Sequence, residues 1–399
     1  MNTMNEMQAS GSARRAVRRS FGVLIGACAA AFLMSGAHAD SRDQAKRIHD
    51  RIAGVPPAAA TLDAMAADIA GGNPQAAAQK AMDASAFYTV TLKNFVTPWT
   101  NRDRTVFAPL NDYTATVIGM VRDDVPFNTV LSADLLYTGN AGGLPAYSAT
   151  NNDHYQALED GGFDLKATLV SNQQSTLSGL PANATAGVIT TRAAAQAFFI
   201  AGTNRAMFRF TLVNHLCKDM ENVHDTTRPP DRIRQDVARS PGGDSRIFLN
   251  GCIGCHSGMD PMAQAFAYYN FDETQGRIIY TAGTVQPKYL INSDNFKSGY
   301  VTPDDHWDNR WRAGPNQLLG WDLALPGTGN GAKSLGQELA SSNQFAHCQA
   351  EKVFKNVCLR APGNAADRGQ VDSMVASFKS SNYKMKQLFA DAAVYCMGD

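Results

Sequence analysis

Five residues, Cys252-Ile253-Gly254-Cys255-His256, constrain this 399-residue chain more than any other feature. Two thiols three positions apart fall on one turn of a helix, and an imidazole follows at once. In an exported chain this spacing has a specific use. The thiols reach the two vinyl groups of a haem and form thioethers, and the imidazole lies under the iron as its proximal ligand. A group joined in this way cannot leave even a shallow site. A thiol–disulfide pair at the same spacing requires alternating strands and helices, which the flanking sequence lacks. A zinc site requires two further ligands at matched spacing, and the downstream cysteines are too far away. The cofactor expected is one covalent haem c on Cys252, Cys255 and His256.

The N-terminus agrees on the compartment. Arg14, Arg15, Arg18 and Arg19 precede the apolar stretch Phe21–Met34, and Ala37-His38-Ala39 follows. A charged region, an apolar region and small residues in that order read as a signal peptide over 1–39, cleaved before Asp40. The apolar run is shorter than the roughly 20 residues of a spanning helix. Arg18-Arg19-Ser20-Phe21 resembles part of a twin-arginine signal, whereas Cys28 makes a poor lipobox because the apolar run continues past it. The expected protein is periplasmic or secreted, with no integral membrane segment once the signal is removed.

The chain holds 36 basic and 36 acidic residues, and the leader takes four arginines and one glutamate of these. The remainder therefore carries about −3, with no basic cluster, which argues against a nucleic-acid partner. A hydrophobic content of 44% and a charged content of 18% suit an ordinary globular protein.

Helical spacing dominates the rest. Residues 42–53 read as a helix stopped by Gly54 and Pro56-Pro57, and 58–70 and 74–87 as alanine-rich helices parted by Gly71-Gly72. Helices are also expected at 111–123 and 125–136, and at 193–218 with a break near Gly202-Thr203-Asn204. Residues 138–187, rich in Gly, Asn, Ser and Thr, read as long loops with a short hairpin. Pro229-Pro230, Pro241 and Gly242-Gly243 mark 225–244 as a linker. Loops are expected from about 283 to 334, and helices at 335–340, 344–359, 366–380 and 385–394. The fold class is mainly α: multi-helical, with long irregular loops and a cytochrome c-like haem segment. Its divisions are an N-terminal module at 40–224 with the insert 138–187, the linker 225–244, and a haem domain with a C-terminal helical module at 245–399.

The residues following the pentapeptide extend the pattern. Cys252 to Pro261 reads CIGCHSGMDP, followed by Phe266-Ala267 and Asn270-Phe271-Asp272. This resembles the signature of the planctomycete-type cytochrome c proteins, a multi-domain bacterial group. Arg47-Ile48-His49 with Gly54-Val55-Pro56-Pro57 resembles the group's N-terminal module, and Gln344-Phe345-Ala346 with Cys348 and Lys352 its C-terminal one. The gap before Phe-Ala is longer here than in the group, and residues 138–187 match no part of it.

Pro261 is expected to end the haem helix, and a nearby backbone carbonyl to accept the His256 Nδ1 proton, fixing the tautomer. Met259, three residues past His256, falls on the proximal side and is expected to pack against the ring rather than ligate. For the sixth ligand the candidates are His306, beside Trp307 in the returning loop region, and Met207 in an apolar helix, with an open position as the third possibility.

With Cys28 in the leader and two cysteines on haem, Cys217, Cys348, Cys358 and Cys396 remain. In an oxidising compartment they suggest two disulfides. If 344–359 is one helix, Cys348 and Cys358 stand about 15 Å apart along it, beyond the roughly 7 Å that a disulfide tolerates. The preferred pairing is Cys358–Cys396 with Cys217–Cys348, and the alternative is Cys217–Cys358 with Cys348–Cys396. Gly327–Ser334 (GTGNGAKS) superficially resembles a phosphate-binding loop, but Ala332 stands where that motif needs glycine, and no nucleotide is expected. It reads as a flexible loop.

These features favour electron transfer with a redox partner protein. Two other readings stand beside it. One is a haem-dependent oxidoreductase of peroxidase or oxygenase type. The other is a binding module with an accessory haem, which the length favours, since a bare carrier needs only about a hundred residues.

Overall fold

The first described helix shows how local capping bounds an element. In the computed structural model, which describes residues 39–200, 202–290 and 297–398, α1 (Ser41–Ala53) starts where the Asp40 carboxylate accepts the Asp43 amide at 2.7 Å. It ends at Gly54, whose φ of 72° only glycine adopts freely. Ala45, Ile48 and Ile52 form its buried stripe, packed on α2 (Ala59–Ala70) and α3 (Pro74–Met82). The signal peptide expected at 1–39 lies, but for Ala39, outside the described residues.

After a wide π-type turn at Phe87–Leu92 come α4 (Lys93–Val96) and α5 (Asp112–Arg122). Residues 112–121 of α5 are all buried, as a helix at the centre of a core requires. The helix expected at 125–136 does not form. Asp124 takes a φ of 53° and Pro126 lacks an amide, so the chain leaves α5 through a short turn at Phe127–Thr129 and enters β1 (Leu136–Gly139).

Residues 138–187 are more ordered than loops. β1 pairs antiparallel with β2 (Leu169–Asn172), Leu136 opposite Asn172, and between them lie α6 (Asp153–Asp160) and α7 (Leu165–Thr168), followed by α8 (Gln174–Ser178). Such elements are too short for a period to show in the sequence. Tyr155, Leu158 and Leu165 nevertheless bury them against the main core.

α9 (Arg192–Phe198) is capped by the Thr191 hydroxyl, and α10 (Arg205–Thr211) runs into a π-type turn at Leu212–Leu216. The break between them falls where expected, at Asn204 with φ 58°. The 225–244 segment, expected as a linker, has Ile233 and Arg234 fully buried, and Arg234 pairs with Tyr300 through the backbone. The described residues from Ala39 onward form one compact unit that includes it.

The motif follows α11 (Ser245–Ile247) and a π-type turn at Phe248–Cys252, and continues into α12 (Ile253–Ala263). Pro261, expected to stop this helix, lies within it. The chain tightens into a 3₁₀ turn only at Gln264–Phe266. Two antiparallel hairpins follow, β3 (Tyr269–Asp272) with β4 (Arg277–Tyr280), and β5 (His306–Asp308) with β6 (Thr328–Asn330). The stretch 327–334, expected as a flexible loop, holds β6 and the first turn of α13 (Gly331–Ala340), and the Ser334 hydroxyl accepts the Trp307 indole N–H at 2.8 Å.

α14 (Asn343–Cys358), α15 (Ala365–Ser380) and α16 (Met385–Cys396) close the fold, with α16 seated against α14, α3 and α1. Cys217 pairs with Cys348 and Cys358 with Cys396, at Cα separations of 5.3 and 5.5 Å. Cys348 and Cys358 do share one helix, so the expected pairing stands. Among the described residues no helix is long and apolar enough to cross a membrane.

Candidate functional site

α12 presents two unlike faces. Cys252, Cys255, His256 and Met259 recur at helical spacing and share one stripe. On the other side Gly254 and Gly258 allow close approach. A Cβ on Gly254 would collide with the His224 ring, and one on Gly258 with the Trp311 indole. The Asp225 amide donates to the Gly254 carbonyl at 2.9 Å, and the Ser257 hydroxyl donates to the Asp225 carbonyl at 3.1 Å. The helix is thus fastened from behind, and its cysteine stripe is left half-open.

Four of the described cysteines are paired, whereas Cys252 and Cys255 are free and half-buried. Burial, with Glu221, Cys252 and Asp219 nearby, pushes the Cys255 thiol above its usual range. A disulfide-exchange nucleophile needs the opposite shift. The described sheets, moreover, are only two-stranded hairpins. One turn before Cys252, Ile247 and Leu249 expose about half their surface (50% and 54%), leaving apolar area beside the thiols uncovered.

His256 is held from one side. Its Nδ1 lies 3.1 Å from both oxygens of Asp260, one helical turn on. No described residue hydrogen-bonds to its Nε2. The expected backbone carbonyl is therefore replaced by a carboxylate. Asp260 is fully buried, and Arg205 grips it with two prongs, Nε to Oδ1 at 2.7 Å and Nη2 to Oδ2 at 2.9 Å. Arg205 is itself shared with Asp236 at 2.5 and 2.9 Å. The buried Arg234 guanidinium approaches Asp260 at 3.8 Å and stacks over Tyr289. Burial alone would raise the Asp260 pKa, but the two guanidiniums and His256 hold it well below the usual carboxylate range. No sequence pattern marks Arg205, Arg234 or Asp236. The Asp260 signal was legible as an acid four residues after His256 on a helix, but its arginine partners come from distant segments.

The remaining candidates lie as follows. Met259 is buried in the main core on the cysteine stripe. Met207 is buried beside a small internal cavity lined by Tyr113, Ile189, Thr211 and His215. His306 stands at the β5–β6 hairpin, its Nε2 3.1 Å from the Thr328 hydroxyl and its ring 40% exposed. Chemically, the cysteine stripe offers two attachment sulfurs and one nitrogen donor of defined tautomer. No protein-family model, curated protein or solved structure matches this chain.

Proposed function

We propose that the protein is a monohaem c-type cytochrome of the periplasm, acting in electron transfer with a redox partner protein. Cys252 and Cys255 would hold the haem through thioethers, and His256 Nε2 would be the proximal donor. The observation that carries this reading is a pair of free thiols beside an imidazole whose Nδ1 is tied down and whose Nε2 is not, in a chain whose other described cysteines are paired. A porphyrin brings four of iron's ligands itself, so one imidazole suffices from this face. The half-exposed Ile247 and Leu249 suit an apolar macrocycle. Bound haem supplies a one-electron ferric–ferrous couple.

The protein's part is to fix the donor. Asp260 holds the proton on Nδ1 and so presents the Nε2 lone pair. The two disulfides fit an oxidising compartment, as does the resemblance of Cys252–Asp272 to the planctomycete-type group. His306 and Met207 stay as sixth-ligand candidates that would have to leave the contacts described above.

The test is expression in a host that matures c-type cytochromes, followed by denaturing electrophoresis with haem staining and a pyridine haemochrome spectrum. One haem per chain that survives denaturation is expected, and Cys252→Ala with Cys255→Ala should abolish it. A colourless wild-type protein, or one with those two sulfurs joined to each other, would sink the proposal.

A further inference from the structure

We infer that Asp260 is a positioning residue that makes the His256 donor electron-rich and so lowers the reduction potential of the iron it would hold; the inference rests on the haem reading above. A backbone carbonyl on the Nδ1 proton carries no net charge. Asp260 does, and it is placed to keep it. Its carboxylate is fully buried and receives two N–H bonds from Arg205 at 2.7 and 2.9 Å and the Arg234 amide at 3.4 Å. An anionic carboxylate can only accept, so the Nδ1 at 3.1 Å must be the donor.

Distance decides what reaches the metal. Asp260, Asp236, Arg205 and Arg234 sum to zero formal charge, so their far field largely cancels. Of these four, Asp260 is the one that hydrogen-bonds the imidazole, whereas Arg205 bonds the Asp260 carboxylate and not the ring. The ring therefore feels a near negative charge in a low-dielectric setting, where such bonds strengthen. Pulling the Nδ1 proton toward Asp260 raises electron density at Nε2, which favours ferric over ferrous iron. Arg205 and Asp236 act one step further out: Arg205 draws the carboxylate charge away from His256, and Asp236 moderates that draw.

The experiment compares wild-type holoprotein with Asp260→Asn, which keeps an acceptor and removes the charge. The haemochrome spectrum is recorded first, then an equilibrium redox titration. Both proteins should carry covalent haem. At a fixed ambient potential the variant should show at least a tenfold higher ferrous-to-ferric ratio, about 59 mV for a one-electron couple. Covalent haem in both with an unchanged potential overturns the inference. Absence of covalent haem from the wild type overturns the haem reading on which it rests. Should Asp260→Asn not accumulate, ¹⁵N-edited NMR of the wild-type ferrous protein serves instead. A strongly deshielded, slowly exchanging His256 Nδ1 proton is expected. A resonance no more deshielded than that of an imidazole bonded to a backbone carbonyl overturns the assignment.

Discussion

His256 and His215 meet their neighbours in opposite ways. His215 is fully buried, its Nε2 2.7 Å from the Tyr113 hydroxyl, its ring stacked toward Phe345 and edge-on to Trp99. Its Nδ1 has no hydrogen-bond partner among the described residues. Burial, with the Lys352 ammonium close by, pushes its pKa well below the usual imidazole range. It is a neutral aromatic piece of core. His256 is one-fifth exposed, is gripped through Nδ1 by a carboxylate, and has Nε2 unengaged. The same side chain serves packing where its contacts are a neutral hydroxyl and aromatic rings. It becomes a donor where one nitrogen is anchored by charge and the other is left over.

The largest expected effect breaks that contrast outright. Under the proposed haem attachment, His256→Ala should alter the visible spectrum of the holoprotein even where some thioether attachment persists, whereas His215→Phe should leave it intact. An unchanged spectrum in His256→Ala would remove the proximal assignment. Next comes the support behind His256. Arg205→Ala takes the hydrogen-bonded cation from Asp260 and Asp236 and leaves them, as cation contacts, only the longer Arg234 ones at 3.8 and 3.9 Å, and breaking a buried ion pair costs up to about 3–5 kcal/mol. Denaturant unfolding checks it, and a loss under 1 kcal/mol would show that the network is not integral to the fold.

On the other side of the comparison, Tyr113→Phe leaves His215 Nε2 buried without a partner, at a cost of about 1–3 kcal/mol by chemical denaturation and with no change in spectrum. The same buried ring gives a pH dependence whose sign is fixed. The folded-state pKa of His215 is depressed, so the unfolded chain takes up the proton first as pH falls below the ordinary imidazole value near 6.5. Stability is then full above that value and declines below it, by at most about 1.4 kcal/mol per pH unit from this group. Stability that is flat between pH 7 and 5.5 in wild type, or a slope that persists undiminished in His215→Phe, would contradict this.

The smallest effect belongs to His306. Its ring is 40% exposed and bonded to Thr328, so His306→Ala should cost under about 0.5 kcal/mol and leave the spin state unchanged. Conversion to high spin would instead show that the hairpin histidine leaves Thr328 for the iron.

The sequence by itself determined what short-range chemistry determines. Gly54 ends α1, Asn204 breaks α9 from α10, and the 3.6-residue period marks α13 to α16, because caps and periodicity act within a few residues. The spacing of Cys348 and Cys358 on one helix likewise ruled out their pairing from arithmetic alone. Only the tertiary structure decided that Val125–Leu136 turns into a strand, that the short helices between β1 and β2 are buried, and that 225–244 brings Arg234 into the interior. It alone replaced the expected carbonyl on His256 with Asp260 and brought Arg205 and Asp236 to it from separate segments. Charge pairs of that kind depend on burial and on contacts across tens of residues, and neither has a period that a sequence displays.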